Sequence, residues 1–204
     1  IKEKTKLHHD GAVINLFSNW DADYKTHLNI SNYDYESNYN SIQDIFISSD
    51  SLSTISNANT NNLFSEKNIK FNQEYKGVNS HKIITGFEQN YYSIKIQATK
   101  TDGSSSNASL FDQTGYVHSF YLHDQWRKNS DWMTHSSIRI SYFNNTDSVY
   151  FEPRFAINYR ILPSIIFEAS IGKHHQFVQH LPNQSNNIAQ NTWTVSSGKI
   201  PVTA

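Results

Sequence analysis

The stretch YFEPRFAINYRI, residues 150–161, alternates by strict parity. From Val149 onward the odd positions Phe151, Phe155, Ile157, Tyr159 and Ile161 are apolar, with Pro153 the exception, while Glu152, Arg154, Asn158 and Arg160 on the other parity are polar. A period of two belongs to a strand with one apolar and one charged face. A small dry core would have to bury Glu152, Arg154 and Arg160 at heavy cost unless each were paired. In a water-filled barrel they stay solvated, which assigns the apolar face to lipid tails and the charged face to a lumen.

The rest of the chain suits that assignment. Of 204 residues, 37% are hydrophobic, 14% aromatic and only 17% charged, with a net charge of -1 and a mean hydropathy of -0.63. Asn, Ser, Gln and Thr fill the remainder, as expected where only alternate residues meet lipid. No apolar run is long enough for a membrane-spanning helix. The opening IKEKTKLHHDGAV turns polar at once, so a mature chain or an internal fragment is expected to begin here. Cys is absent, which removes disulfides and thiolate chemistry. Near-neutral charge with no Lys/Arg run argues against a nucleic-acid partner.

Eight strands are expected at roughly 11–20, 24–36, 66–76, 81–98, 115–127, 132–144, 149–161 and 164–179. Their connections alternate in length. Short turns fall at Asp21–Asp23, Gly77–Ser80, Lys128–Asp131 and Leu162–Pro163; long connections fall at 37–65, 99–114 and the tail from His180, with a modest one at Asn145–Ser148. The expected fold is therefore all-β, an antiparallel up-and-down meander forming part of a transmembrane β-barrel with short turns at one rim and long loops at the other. On 132–144, Trp132, Ile138, Ile140 and Tyr142 would face outward and Arg139 inward; on 164–179, Ile165, Phe167, Ala169 and Ile171 would face outward and Glu168 inward. Trp20, Tyr24, Trp126 and Trp132 flank short turns, where an aromatic girdle would lie. Two features depart from the pattern: 81–98 changes its apolar parity near Tyr91–Tyr92, which a bulge would explain, and Asp124 falls on the outward face.

Four phrases, in this order, resemble the barrel of TonB-dependent outer-membrane receptors of the Bacteroidota type. They are HKIITGFEQNYY (81–92), HSFYLHDQWRKNSDWMTHSSIRISYF (118–143), FEPRFAINYRILPSIIFEASIGKHHQFVQHL (151–181) and NTWTVSSGKIPVTA (191–204). One departure is Ile138, which stands where the family usually has Gly before the Arg. Residues 80–204 carry the resemblance, and 1–79 share only general character. It implies an internal piece of an outer-membrane barrel from which the plug domain is missing. It further implies outer-membrane lipid and, through the plug, the TonB complex as partners, with a metal chelate, glycan or peptide as the imported nutrient.

No enzyme, cofactor or metal is expected. No Gly-x-Ser-x-Gly, His-Glu-x-x-His or phosphate-cradling loop occurs. In HHQFVQH (174–180), neighbouring His174 and His175 would point to opposite faces of a strand, and His174 and His180 would stand ~20 Å apart. Glu152, Arg154, Arg139 and Glu168 are expected to form a structural ion ladder on the lumenal wall rather than a glycosidase pair. Tyr35, Tyr39, His175, Gln179 and Trp193 are the candidate ligand-binding residues, placed at the long-loop rim where they could stack on or hydrogen-bond a ligand. Two alternatives stand beside the receptor: a secreted or surface β-rich binding module, such as an adhesin or glycan-binding domain, and a small eight-stranded barrel closed by pairing 11–20 with 164–179.

Overall fold

A computed structural model of the chain describes residues 2–46, 53–102, 105–183, 190–198 and 200–203. Eight strands pair antiparallel in sequence order: β1 (Lys2–Asn19), β2 (Tyr24–Phe46), β3 (Ser53–Tyr75), β4 (His81–Asp102), β5 (Ser105–Arg127), β6 (Trp132–Phe143), β7 (Ser148–Leu162) and β8 (Ile165–Gly172). A second antiparallel pair, β9 (Val178–Asn183) and β10 (Gln190–Val195), forms its own small sheet against the inner face. The fold is the all-β up-and-down meander expected, and no described residue is helical.

Local chemistry fixes the short turns. Asp21 Oδ1 accepts the amides of Asp23 and Tyr24, each at 2.7 Å, and Asn129 Oδ1 accepts those of Asp131 and Trp132 at 3.0 and 2.8 Å. Side-chain acceptors of this kind hold a tight reversal. The expected long loops are different. Most of 37–65 and 99–114 is strand, with β2 pairing to β3 as far as Phe46↔Ser53 and β4 to β5 as far as Asp102↔Ser105; residues 47–52 and 103–104 lie outside the described residues. Asn and Ser have low strand propensity, but ladder pairing and the burial of inward aromatics outweigh it. The second rim thus carries tall hairpins.

The sheet buries its polar face. Outward Leu16, Phe120 and Phe151 are 58%, 64% and 51% exposed, while inward Ser119, Ser141 and Glu152 are at most 1% exposed. Leu16, Leu28, Phe71, Phe87, Phe120, Ile140 and Phe151 stand side by side across seven strands in one row of an outward apolar band. Towards the tall rim the pattern reverses at constant parity. On β2 the outward residues pass from Leu28 and Ile30 to Asn32, Asp34 and Glu36, as the inward ones pass from His27 and Asn29 to Tyr33, Tyr35 and Tyr39. On β4, Tyr92, Ile94 and Ile96 turn inward, while Ser93, Lys95 and Gln97 turn outward. The pairing of β4 runs unbroken from Ile83 to Asp102 against β3 and throughout its length against β5. The parity change near Tyr91–Tyr92 is therefore no bulge; the environments of the two faces change places. Asp124 does face outward, near the short-turn rim, where His81 Nδ1 sits 3.0 Å from both carboxylate oxygens and stacks over Trp126.

β8 stops at Gly172 and not near 179. Pro153 accepts the Lys173 amide at 2.9 Å, so its nitrogen also points towards β8, and a nitrogen without hydrogen ends the ladder there. The chain then turns across the inner face as a return segment. Phe177 and Val195 join Tyr35, Phe64, Ile94, Val117 and Phe143 in a buried cluster. Gly115 makes the close approach possible, since a Cβ there would lie 2.8 Å from Val195 and 2.9 Å from Phe143. Among the described residues β1 pairs only with β2 and β8 only with β7, so the sheet is open and the closed eight-stranded alternative is not the observed arrangement.

The inner wall is braced by charge. Arg139 on β6 stands opposite Glu152 on β7, with Nε 3.8 Å from Oε2, and its Nη1 reaches Glu88 on β4 at 2.9 Å. Glu152 also meets Arg154 at 3.3 Å and accepts the His175 amide at 2.6 Å, tying the return segment to the sheet. Glu168 stands apart from this ladder. It faces Asn158, whose amide nitrogen donates to it at 3.3 Å once turned towards the carboxylate. Its partner Asn158 belongs to the short-turn end of β7, four residues below Arg154.

Glu152→Ala removes a buried acceptor and is expected to lower the unfolding free energy by about 3 kcal/mol; Glu152→Gln, which still accepts from the His175 amide, should cost less, both read from denaturant midpoints. Gly115→Val is expected to prise the return segment from the sheet, speeding hydrogen exchange of the Ser196 amide, which donates to Phe177 O, about tenfold while the β3–β4 ladder stays protected.

Candidate functional site

Above the apolar band, cross-strand register lines up two inward rows. Tyr33 on β2, Glu66 on β3 and Tyr92 on β4 stand side by side; one step further up come Tyr35, Phe64 and Ile94. Because pairing is unbroken, residues distant in sequence share one patch of wall. The return segment roofs this patch. Trp193 on β10 stacks on Phe64 at 5.0 Å and 21° and meets Tyr35 edge-on at 6.4 Å and 72°. Between wall and roof lies a cavity of about 480 Å³, bordered by Phe64, Glu66, Tyr92, Arg139, His175 and Trp193 among others.

Its charges are unevenly matched. Glu88 is held by Arg139 at 2.9 Å, by Lys70 at 3.8 Å and by the Asn68 amide at 3.0 Å. Glu152 has Arg139, Arg154 and His175 within 4.0 Å. Among the described residues no Lys, Arg or His forms an ion pair with Glu66. Burial, and then the neighbouring Glu88 carboxylate, raise the Glu66 carboxyl above the usual carboxylate range. Burial, then Glu66 and Glu88, push the Tyr92 phenol well above its ordinary value, so it keeps its proton and can donate. Tyr33 is engaged elsewhere, its hydroxyl 2.7 Å from His9 Nδ1.

The residues expected to bind ligand are distributed as follows. Trp193 and His175 border the cavity. Tyr35 and Tyr39 are buried on the inner face rather than displayed on a rim. Gln179 donates to Ser196 Oγ at 3.3 Å and to Pro201 O at 2.7 Å, pinning the return segment. Since β8 ends at Gly172, His174 and His175 are not on a strand, and the opposite-face reasoning does not apply to them: exposed His174 and buried His175 both approach Glu152 Oε1, at 3.7 and 3.3 Å. The sequence pattern alone does not single out Glu66, Phe64 and Tyr92 as neighbours. The signal was available in the parity change at Tyr91–Tyr92, which marks where the inner face turns aromatic. The arrangement offers flat aromatic surface for stacking, a phenol donor and carboxylate acceptors, the means to hold an amphipathic ligand.

No protein-family model matches the chain, and no curated protein does. Solved structures do. The RagAB peptide importer in its closed-closed state superposes with a TM-score of 0.58 at 11% identity, covering 96% of this chain and 26% of that one. The RagAB peptide transporter gives 0.57 at 10%, over 96% and 26%, and the importer in its open-open state 0.57 at 10%, over 95% and 26%. At such identity the likeness is one of fold, and this chain spans about a quarter of the length of the chains it matches.

Proposed function

We propose that this chain is part of the wall of an outer-membrane β-barrel that takes up a nutrient, with energy delivered by the TonB complex through a plug domain. The observation that carries the reading is the exposed apolar band backed by a buried polar face, on an open sheet whose fold follows that of a peptide importer over nearly its whole length. In water such a band is a liability; against lipid tails it is the stabilising surface. The open edges β1 and β8 are then joints with neighbouring staves, and the hairpins above the band stand in external water. The peptide cargo of the structural neighbours supports a peptide or similarly amphipathic nutrient here. Lipid is the partner of the outer face; the protein's work is binding and passage rather than catalysis.

In phospholipid vesicles, Phe120→Arg in the full-length protein is expected to cost about 2–4 kcal/mol of folding free energy, against near neutrality for Ser93→Arg, which faces outward above the band. Equal costs at the two sites would mean that depth does not matter and that no bilayer covers this face. The full-length protein is also expected to need detergent and to migrate differently on a gel before and after heating; a soluble monomer melting cooperatively in plain buffer would instead favour a surface binding module.

A further inference from the structure

We infer that the cavity under the return segment is a subsite for a cationic group, an ammonium or guanidinium carried on the ligand, with Glu66 as its counter-ion and Tyr92, Phe64 and Trp193 as its aromatic walls. The inference rests on the importer reading and deepens it. Three carboxylates border the cavity, and the chain's own cations account for two: Arg139 and Lys70 hold Glu88, while Arg139, Arg154 and His175 surround Glu152. Glu66 is left without an ion-pair partner among the described residues. Its neighbour Lys67 lies on the opposite parity, facing outward towards Tyr91.

A half-buried carboxylate with no counter-ion is costly to keep charged, and a ligand cation removes that cost on arrival. The flanking groups suit a cation in particular. Tyr33 and Tyr92 adjoin Glu66 directly in the register, and the Phe64–Trp193 stack rises one row above. Ring faces attract a cation and give an anion nothing. An ammonium seated there meets the carboxylate from one side and the rings from others. The space of about 480 Å³ exceeds one such group, so the remainder of the ligand can lie along the wall.

The test uses the full-length protein in detergent with trilysine and triglutamate as probes, binding being followed by calorimetry. Trilysine is expected to bind at least about tenfold more tightly than triglutamate, and Glu66→Gln to abolish most of that preference. The variant should fold, because burial already favours a neutral group at this position. Equal affinities in the wild type, no trilysine binding, or a preference untouched by Glu66→Gln would each overturn the assignment. Fractionation of the same preparations judges the importer reading separately. Protein in the outer membrane with no Glu66-dependent preference sinks the subsite alone; a Glu66-dependent preference in a soluble protein keeps the subsite and sinks the importer.

Discussion

The unbroken antiparallel register is the constraint on which the rest of this structure depends. Backbone groups crossing an apolar layer have no water to bond, so each must pair with the next strand. From β1 to β7 the described ladders run without a bulge; the one irregularity falls at Arg160/Leu162, beside the last short turn. Unbroken pairing locks parity to face along the whole length of each strand. A change of surroundings along a strand must then be written as a change of residue type at fixed parity. β2 does this in passing from Leu28 and Ile30 to Asn32 and Asp34 outside, and from His27 and Asn29 to Tyr33 and Tyr35 inside.

This explains what the sequence disclosed and what it withheld. Strand order, the short turns and the faces of 132–144 and 149–161 were legible because alternation is strong there and Asp21 and Asn129 write their own reversals. Residues 37–65 and 99–114 read as loops because Asn, Ser and Thr are turn formers, and nothing local reveals a neighbouring strand that pairs with them. The ladder of Glu152, Arg139 and Arg154 was visible from parity, whereas Glu88, its third strand, and the absence of Glu168 from it depend on register. Trp193 and His175 stood out as candidates by residue type. Their convergence on Glu66 and Tyr92 needs the return across the inner face, set by Pro153 ending a ladder, which no short-range pattern encodes.

The two faces also divide the energetics. Inside the band, polar side chains are satisfied by one another: Ser119 and Ser141 hydroxyls lie 2.9 Å apart, Arg139 donates to Ser119 at 2.9 Å, and Tyr121 donates to Asn72. Such pairs contribute little net energy singly but forbid sliding, because leaving any one of them unmade is costly. The outer apolar residues contribute only if something apolar covers them. The sheet's stability is thus conditional on its surroundings, and more so because its edge strands β1 and β8 each pair on one side only among the described residues.

Matching of charge on the inner wall changes with height in the same ordered way. Low on the wall, where the outer face is apolar, Glu74 is paired with Lys82 at 2.8 Å and Lys76 at 3.2 Å, and Glu88 with Arg139. One row above the band, Glu66 stands between two tyrosines with no ion-pair partner among the described residues. A wall built only for strength would close that gap as it does at Glu74 and Glu88, since Lys67 is one residue away and needs only the other parity. An inward lysine at that row would intrude on the cavity beneath Trp193 and neutralise its floor. The arrangement instead leaves the carboxylate facing the cavity and the roof tethered through Glu152 to the ladder of the inner wall. The element that stiffens the wall therefore also holds the roof over the Glu66 carboxylate.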